Sequence, residues 1–359
     1  MSPRIPLPDS IEAITGDWLS RAVSTRFPDS RANAVEIVDS HSGTTGRVQL
    51  RVDWNAESHA PSALFGKLAP TDPIQRQMVS FTDMGRREAR FYTDVAADES
   101  LPIRAPRPIW SGWSEDDPSA YFMLLEDLEV AGCEFPSSRN EDSRRSEEGM
   151  IDTFARLHGH FWESPRFDED LSWIDPPMRS PIGPQLVGDA LSAFGSDMPE
   201  AFRELARLYI DHTDALCDRL DAGPATLTHG DSHVGNSFID GDEVGLLDWA
   251  CTCRAPGIRD VSYYLCNSVP TALRRERERS LLDRYLAGLE AAGGVAPSFE
   301  EAWRQYRRLA TASWIAATAT AAAGSRMQSV DIGLRALERA NQAIVDLDTV
   351  ALLREELAF

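Results

Sequence analysis

The sequence predicts an α+β protein with two lobes: a small N-terminal lobe with an antiparallel sheet and a helix, and a larger, mostly helical C-terminal lobe. The chain has 359 residues, more than one hydrophobic core usually supports, and its 42% hydrophobic content supplies ample core material. Strand patterns occur before residue 128 and helical patterns dominate after it. We therefore expect the lobes at residues 1–128 and 129–359.

The first predicted strand covers residues 48–54, where apolar and polar residues alternate strictly. Such alternation is typical of a half-buried strand. The strand follows a turn that contains Gly43 and Gly46, and glycine lets backbone amide groups approach a bound ligand closely. An ordinary hairpin turn is the alternative interpretation of the two glycines.

A second strand is predicted at residues 63–70, an apolar run that carries Lys67 near its end. Charged side chains are rarely buried without a partner. The candidate partner is Glu88, where a helical pattern begins that places Phe91 and Val95 four residues apart. Alternatively, Lys67 snorkels to the surface and Glu88 is a solvated helix residue.

A third strand is predicted at residues 121–128, a buried apolar run that ends in the carboxylates Glu126 and Asp127. A plain turn at the strand end is one interpretation of this ending. Beyond it, the charged residues 137–148 predict a solvated connection, which leads into a helix whose apolar face reaches Phe161.

The rest of the C-terminal lobe is predicted to be mainly helical, with one long exception. Residues 164–199 are rich in proline and are predicted to be irregular. This segment either helps to shape a binding pocket or is a surface loop without a functional role. His158 and His160 are expected to pack and to form hydrogen bonds rather than to act as metal ligands or bases. Further helices are predicted at residues 274–290, 299–323 and 330–357.

The most informative segment runs from His229 to Asn236 and reads His-Gly-Asp-Ser-His-Val-Gly-Asn. Two short apolar runs around an Asp-Gly turn follow, which is a strong hairpin signal, and then come Asp248 and Trp249. In protein kinases a catalytic Asp precedes a metal-binding Asn by five positions, and a second metal-binding Asp follows on the next hairpin. Asp231, Asn236 and Asp248 repeat this spacing, and we expect the hairpin to return Asp248 towards Asn236.

These residue types suit phosphoryl transfer. A transferring phosphoryl group carries dispersed negative charge that Mg²⁺ neutralises, and hard cations take oxygen ligands such as the Asn236 carbonyl and the Asp248 carboxylate. The remaining carboxylate, Asp231, can orient and deprotonate an acceptor hydroxyl group. His229 is expected to brace the loop rather than to react.

The motifs resemble the aminoglycoside phosphotransferase and choline kinase superfamily, and within it the branch related to ecdysteroid kinases. The loop of that family reads His-Gly-Asp-x-His-x-x-Asn and its metal motif reads Asp-Trp, and both occur here without a gap. Segments at residues 10–19, 157–162 and 257–265 also resemble this branch, so the likeness covers nearly the whole chain. The resemblance implies a protein-kinase-like fold, ATP and Mg²⁺ as cofactors, and a hydroxyl group of a small molecule as the acceptor.

The resemblance also implies roles for single residues. Asp231 is expected to be the catalytic base, and Asn236 and Asp248 are expected to bind the metal. Lys67 and Glu88 are expected to form the ion pair that positions the α- and β-phosphates. The residues expected to bind the nucleotide are Lys67, Glu88, Gly43, Gly46 and, through main-chain atoms of the hinge after the third strand, Glu126 and Leu128.

The charge and the apolar pattern exclude several classes of partner. A formal net charge of −21 and a pI near 4.7 argue against a nucleic-acid partner, which needs clustered Lys and Arg, although they permit a cationic substrate. No run of 18 apolar residues predicts a transmembrane helix, and the first residues lack the apolar core of a signal peptide. The odd number of cysteines, five, fits reduced thiols. We therefore expect a cytoplasmic protein without a membrane partner.

Two other functional classes stay open at this stage. His229, Asp231 and His233 are also the residue types that bind zinc in a metal-dependent hydrolase, although that interpretation leaves the Lys67 pair and the hinge unexplained. A pseudokinase that binds nucleotide and serves as an interaction module is the second alternative. The acceptor is open among an aminoglycoside or other antibiotic, a sterol-like alcohol, choline and a sugar.

Overall fold

A computed structural model describes residues 5–42, 45–136, 144–324 and 330–358 of the chain. The chain forms two compact units, Met1–Glu134 with Asp240–Cys251 and Phe135–Ile239 with Thr252–Phe359. The first unit contains a five-stranded sheet and the second consists mainly of helices, which confirms the predicted α+β class. The lobe boundary at residue 128 stays a prediction.

Neighbouring strands in the sheet of the first unit are antiparallel. In chain order, the strands are β1 (Ala32–Ser42), β2 (Gly46–Trp54), β3 (Ala63–Leu68), β4 (Pro108–Trp113) and β5 (Tyr121–Glu126). Their order across the sheet is β1-β2-β3-β5-β4. The helices described in this unit are α1 (Gly16–Val23), α2 (Pro73–Thr82) and α3 (Met84–Asp94). The three predicted strands and the predicted helix at Glu88 are therefore confirmed.

One face of the sheet packs against α1. Three of the apolar residues of β2 that the alternation predicted to be inside, Val48, Leu50 and Val52, are at most 2% exposed, and Trp54 at the strand end is partly buried. Trp18 of α1 contacts the rings of Trp110 and Phe122 edge-on, with both pairs of ring centroids 5.2 Å apart. Because side chains alternate along a strand, the intervening residues of β2 point to the other face of the sheet. That face is therefore available to charged groups.

Gly85 allows α3 to lie close to β5. A Cβ atom added at Gly85 would lie 1.9 Å from a ring carbon of Tyr121, a distance at which something must shift. Glu88 follows one turn later on the same helix and is fully buried. Because Gly85 has no side chain, α3 approaches β5 closely enough for Glu88 to be buried.

The second unit is built from nine described helices around short strands. In this unit, the strands β6 (Thr226–Thr228) and β9 (Cys253–Ala255) pair antiparallel. The predicted hairpin is formed by β7 (Ser237–Asp240) and β8 (Glu243–Leu246), and β8 is counted with the first unit. The helices are α4 (Arg144–His160), α5 (Gly183–Phe194), α6 (Glu200–Asp211), α7 (Thr213–Asp221), α8 (Ile258–Asn267), α9 (Thr271–Ala291), α10 (Phe299–Ala323), α11 (Val330–Asp346) and α12 (Thr349–Leu357). Helix α10 packs against α5, α8 and α11.

The irregular segment predicted at residues 164–199 is wrong in part, because it contains α5 and two short 3₁₀ turns. Pro184 lies in the first turn of α5, where a missing N–H group breaks no helical hydrogen bond. The prolines therefore lie before the helix and in its first turn, where they do not prevent it. The helix predicted at residues 330–357 is two helices, since Asp348 between them adopts a left-handed φ of 49°.

The solvated connection predicted at residues 137–148 also needs correction. Residues 137–143 lie outside the described residues, and α4 begins at Arg144. Glu147 is fully buried, and its carboxylate accepts a hydrogen bond from Arg277 Nη1 at 3.0 Å. Glu147, which was expected to be solvated, therefore forms an ion pair with Arg277 of α9 instead.

Two further expectations concern the whole chain. Among the described residues, which include all five cysteines, no disulfide bond is present. Within the described ranges, no helix is long and apolar enough to cross a membrane.

We expect Gly85→Ala to lower the melting temperature by several degrees, because overpacking a tight site typically costs about 1–3 kcal/mol. Gly188→Ala in α5 is the matched control, since the nearest heavy atom to its added Cβ is 3.9 Å away. In a helix, alanine is otherwise favoured over glycine by roughly 1 kcal/mol. Thermal unfolding followed by circular dichroism measures both variants. A Gly85→Ala protein as stable as the control would contradict the packing argument.

Candidate active site

Lys67 of β3 and Glu88 of α3 form a buried ion pair in the first unit. Lys67 Nζ donates to both carboxylate oxygens of Glu88 at 2.7 Å. The side chain of Lys67 is only 6% exposed and that of Glu88 is fully buried, so the alternative of a snorkelling lysine is wrong. The predicted pairing is thus present, and its role towards a nucleotide stays a prediction.

A third and a fourth charge complete this group, which we call the lysine cluster: Arg47, Lys67, Glu88 and Asp248. Lys67 Nζ donates to Asp248 Oδ1 at 3.1 Å, and Arg47 Nη2 lies 3.7 Å from Asp248 Oδ2. Arg47 is directly opposite Lys67 across β2 and β3. Two like charges in this position repel each other, so the shared Asp248 carboxylate compensates both.

Burial and charge act against each other in the lysine cluster. Burial on its own lowers the pKa of Lys67, but the Asp248 and Glu88 carboxylates outweigh it and raise that pKa. Burial also raises the pKa of Glu88, and Lys67 opposes this effect. Lys67 is therefore held as a cation, whereas the pKa of Glu88 remains raised, at about 7.

Composition carries a signal about this cluster that motif reasoning missed. Lys67 is the one lysine in the chain, and the other 35 of its 36 Lys and Arg residues are arginines. An ammonium group is a compact charge with three rotatable donors, whereas a guanidinium group is a planar fork. Lys67 Nζ donates to three oxygen atoms of two carboxylates, so this position uses the geometry that only lysine provides.

The backbone around Asp248 is fixed by an aromatic contact. Trp249 is fully buried and stacks on Phe91 of α3, with ring centroids 3.9 Å apart and an interplanar angle of 8°. Its Nε1 donates to Leu246 O at 3.1 Å. Asp248 itself has a left-handed φ of 65°, which is uncommon for a residue other than glycine and concentrates at functional sites. The stack thus attaches Trp249 to α3, and the ion pair attaches Asp248 to Lys67 of β3.

The end of β5 is held by hydrogen bonds of both side-chain and main-chain groups, among them that from Glu126 N to Arg107 O at 3.0 Å. The Glu126 carboxylate accepts from Arg107 N at 2.6 Å and from the side chains of Arg104 and Arg107; burial raises its pKa, but these contacts outweigh burial and lower it. Asp127 Oδ1 accepts from the N–H groups of the next turn at 3.0 and 3.2 Å. Leu128 O accepts from Cys133 N at 3.0 Å, and the Leu128 N–H takes part in none of these bonds.

The glycine turn is described only in its second half. Gly43 lies outside the described residues. Gly46 begins β2, and a Cβ atom added there would lie 3.1 Å from Ala69 O and from the side chain of Leu68. Close packing with the neighbouring strand therefore accounts for Gly46, and contact with phosphate stays a prediction for both glycines.

In the second unit, Asp231 lies in the loop between β6 and β7, and its carboxylate has a donor on each oxygen. Tyr263 Oη donates to Oδ1 at 2.8 Å, and Asn236 Nδ2 donates to Oδ2 at 3.2 Å. Asn236 Nδ2 also donates to Asp231 O at 2.9 Å, which leaves the amide oxygen of Asn236 outside these bonds. The Asp231 side chain is 34% exposed, so solvent and ligands can reach it.

The start of the loop from His229 to Asn236 is hydrogen-bonded to Asp260 of α8, a residue that motif reasoning did not single out. Its carboxylate accepts from His229 N at 2.6 Å and from Gly230 N at 3.0 Å. His158 Nε2 lies 3.3 Å from the same carboxylate, and His158 Nδ1 lies 3.0 Å from Tyr285 Oη. Burial raises the pKa of Asp260, but these contacts outweigh it and lower that pKa. His158 is therefore a packing and hydrogen-bonding residue, as expected.

The hydrolase alternative finds no support in the arrangement of side chains. His229 Nδ1 accepts from Asp231 N at 3.3 Å, and His233 Nδ1 accepts from Gly235 N at 3.0 Å. Both rings therefore shape the loop. In the part of the chain that the structure describes, no group of three or more His, Cys, Asp or Glu side chains is arranged to hold a metal ion.

Comparison with known proteins adds the following. A model of the phosphotransferase enzyme family, APH, matches residues 80–309. The GDP complex of aminoglycoside 2'-phosphotransferase-IIIa shares 12% identity with the chain at a TM-score of 0.51, over 92% of this chain and 99% of that one. This likeness shows the fold, the protein-kinase-like fold that the sequence implied. No curated protein sequence matches the chain significantly.

Two further solved structures are similar at lower scores. The choline kinase LicA from Streptococcus pneumoniae shares 12% identity at a TM-score of 0.49, over 92% of this chain and 98% of that one. An ethanolamine kinase from Plasmodium vivax shares 11% identity at a TM-score of 0.48, over 88% of this chain and 82% of that one.

Proposed function

The chain belongs to the phosphotransferase enzyme family, and from this premise we propose that it transfers the γ-phosphoryl group of ATP to a hydroxyl group of a small molecule. The observation that carries the proposal is the burial of the one lysine of the chain between Glu88 and Asp248. A fixed cation beside a carboxylate is the arrangement that phosphoryl transfer requires for holding phosphates.

The lysine cluster supports binding of the nucleotide phosphates. Lys67 is held as a cation by Glu88, and its ammonium group is fixed in direction by three oxygen contacts. We assign to it contact with the α- and β-phosphates. Adenine is assigned to the main-chain groups of Glu126 and Leu128 at the end of β5, of which the Leu128 N–H is a donor outside the bonds of the turn.

Mg²⁺ is proposed as the metal cofactor because the donor set fits a hard cation. Asp248 supplies a carboxylate, and Asn236 supplies an amide oxygen whose partner nitrogen is already bound to Asp231. When bound, the metal neutralises negative charge on the phosphate oxygens. Lys67, in contact with Asp248, holds that carboxylate in place.

Asp231 is proposed as the base. The oxygen of the acceptor hydroxyl forms a bond to the γ-phosphorus, the bond from that phosphorus to the β,γ-bridging oxygen breaks, and ADP leaves with the bond electrons. The proton of the hydroxyl passes to the Asp231 carboxylate and from there to solvent. Because Asp231 has a donor on each oxygen and remains one-third exposed, it has a fixed direction and an open side.

The acceptor class and the compartment are part of the proposal. A net charge of −21 favours a cationic alcohol over an anionic one, because the acidic surface attracts positive charge. The cytoplasm is proposed as the compartment, since ATP, the proposed phosphoryl donor, is present there, and the odd number of cysteines in the sequence fits reduced thiols.

A panel of acceptors tests the proposed function. Release of ADP from MgATP and of GDP from MgGTP is measured with kanamycin, choline, ethanolamine, a hexose and a sterol alcohol, and products are identified by a mass increase of one phosphate group. A phosphorylated alcohol supports the proposal. Tight binding of MgATP without any ADP release, including from hydrolysis by water, would indicate a pseudokinase instead.

We expect Asp231→Asn to lower turnover by about 10²- to 10⁴-fold, the contribution typical of a positioned base. Its affinity for MgATP is expected to change little, because the residue acts on the acceptor. Asp283→Asn, which removes an exposed carboxylate of α9, is the matched control. Steady-state ADP release and calorimetric titration give the two quantities. Full turnover in the Asp231 variant would remove it from the reaction.

We expect Asp248→Asn to abolish the dependence of ATP affinity on Mg²⁺, since the substitution keeps the size of the side chain and removes its charge. Asn236→Ala is expected to have a smaller effect, because an amide oxygen contributes a dipole and not a full charge. Titration of ATP with and without Mg²⁺ distinguishes the two variants. An Asp248→Asn protein that still gains affinity from Mg²⁺ would show that the metal is bound elsewhere.

A further inference from the structure

One helix, α8, supports the whole loop from His229 to Asn236. Asp260 accepts the N–H groups of the first two loop residues, and its main-chain oxygen accepts from Ser232 Oγ at 3.0 Å. At the other end of the helix, Ser268 Oγ accepts from Val234 N at 2.9 Å. These contacts fix the loop backbone at several points, but they do not touch the carboxylate of Asp231.

The contact with that carboxylate comes from Tyr263. It follows Asp260 by three positions on α8, so both side chains leave the same face of the helix. Its hydroxyl group donates to Asp231 Oδ1 at 2.8 Å. The other oxygen, Oδ2, accepts from Asn236 Nδ2 at the longer distance of 3.2 Å, and His233 Nε2 lies 3.7 Å from it.

A carboxylate on a short side chain needs such a contact to keep its direction. The last torsion of Asp is broad rather than confined to staggered positions, so a carboxylate that is one-third exposed rotates unless donors hold both oxygens. Each carboxylate oxygen accepts about two hydrogen bonds. Tyr263 therefore fixes the plane of the Asp231 carboxylate and still leaves an electron pair on Oδ1 for an acceptor hydroxyl group.

We propose that Tyr263 is a positioning residue for Asp231, which keeps the carboxylate in the orientation that takes the proton of the acceptor. The inference rests on the proposed function, in which Asp231 is the base. Asp260 and Tyr263 of α8 then have different roles. Asp260 holds the loop backbone, and Tyr263 aims the reacting group.

The test uses Tyr263→Phe, which keeps the ring and removes the hydroxyl group. The reaction is hydrolysis of MgATP, in which water replaces the alcohol as acceptor. We expect kcat to fall about tenfold, the effect of losing one hydrogen bond to a charged group, while KM for MgATP and the melting temperature stay unchanged. Tyr209→Phe in α6 is the matched control and is expected to keep the kcat of the wild type.

The same substitution in the Asp231→Asn background separates positioning from structure. If Tyr263 acts through the carboxylate, its loss in that background has no further effect on kcat. An additive loss, an unchanged kcat in Tyr263→Phe, or a parallel change in KM and melting temperature would each overturn the inference. Full hydrolysis by Asp231→Asn would overturn the proposed function as well, whereas full hydrolysis by Tyr263→Phe beside an inactive Asp231→Asn overturns the inference alone.

Discussion

The ammonium group of Lys67 is the charge around which the first unit is arranged. It lies in the interior, where a charge is stable only if carboxylates surround it, and removing one partner of a buried ion pair costs about 3–5 kcal/mol. Glu88 reaches it because Gly85 lets α3 approach β5. Asp248 reaches it because the stack of Trp249 on Phe91 holds the adjoining backbone. Packing and electrostatics therefore support the same contact.

In the second unit, the corresponding constraint is a backbone one. The loop that carries Asp231 turns through Gly230 at a φ of +81°, and the N–H groups at its start need acceptors because the loop begins at the fully buried His229. The buried carboxylate of Asp260 supplies them, with His158 fixing its other side. This arrangement leaves the Asp231 side chain to face solvent. A rigid backbone thus presents an accessible carboxylate, as catalysis by a positioned base requires.

Three of the five strands in the sheet of the first unit could be predicted from the sequence, because alternation and apolar runs are local signals, whereas β1 and β4 were not predicted. A partner for Lys67 could be named because a buried charge needs an opposite charge. The contact of Arg47 with Asp248 could not be predicted, since it depends on the register between β2 and β3. Helix α5 was missed because its prolines cluster before and within the first turn, where a helix tolerates them. The burial of Glu147 depends on an arginine 130 positions away.

Labelling of Lys67 by an acyl phosphate of ATP, whose terminal phosphate carries a reactive acyl group, tests the central claim most directly. The probe transfers its acyl group to an amine close to the bound phosphates and releases ATP, and Lys67 is the one lysine of the chain. If Lys67 contacts the phosphates, mass spectrometry will find one acyl group on it, blocked by excess MgATP and lost in Lys67→Arg. Absence of label on Lys67, or labelling that MgATP does not reduce, would contradict the account.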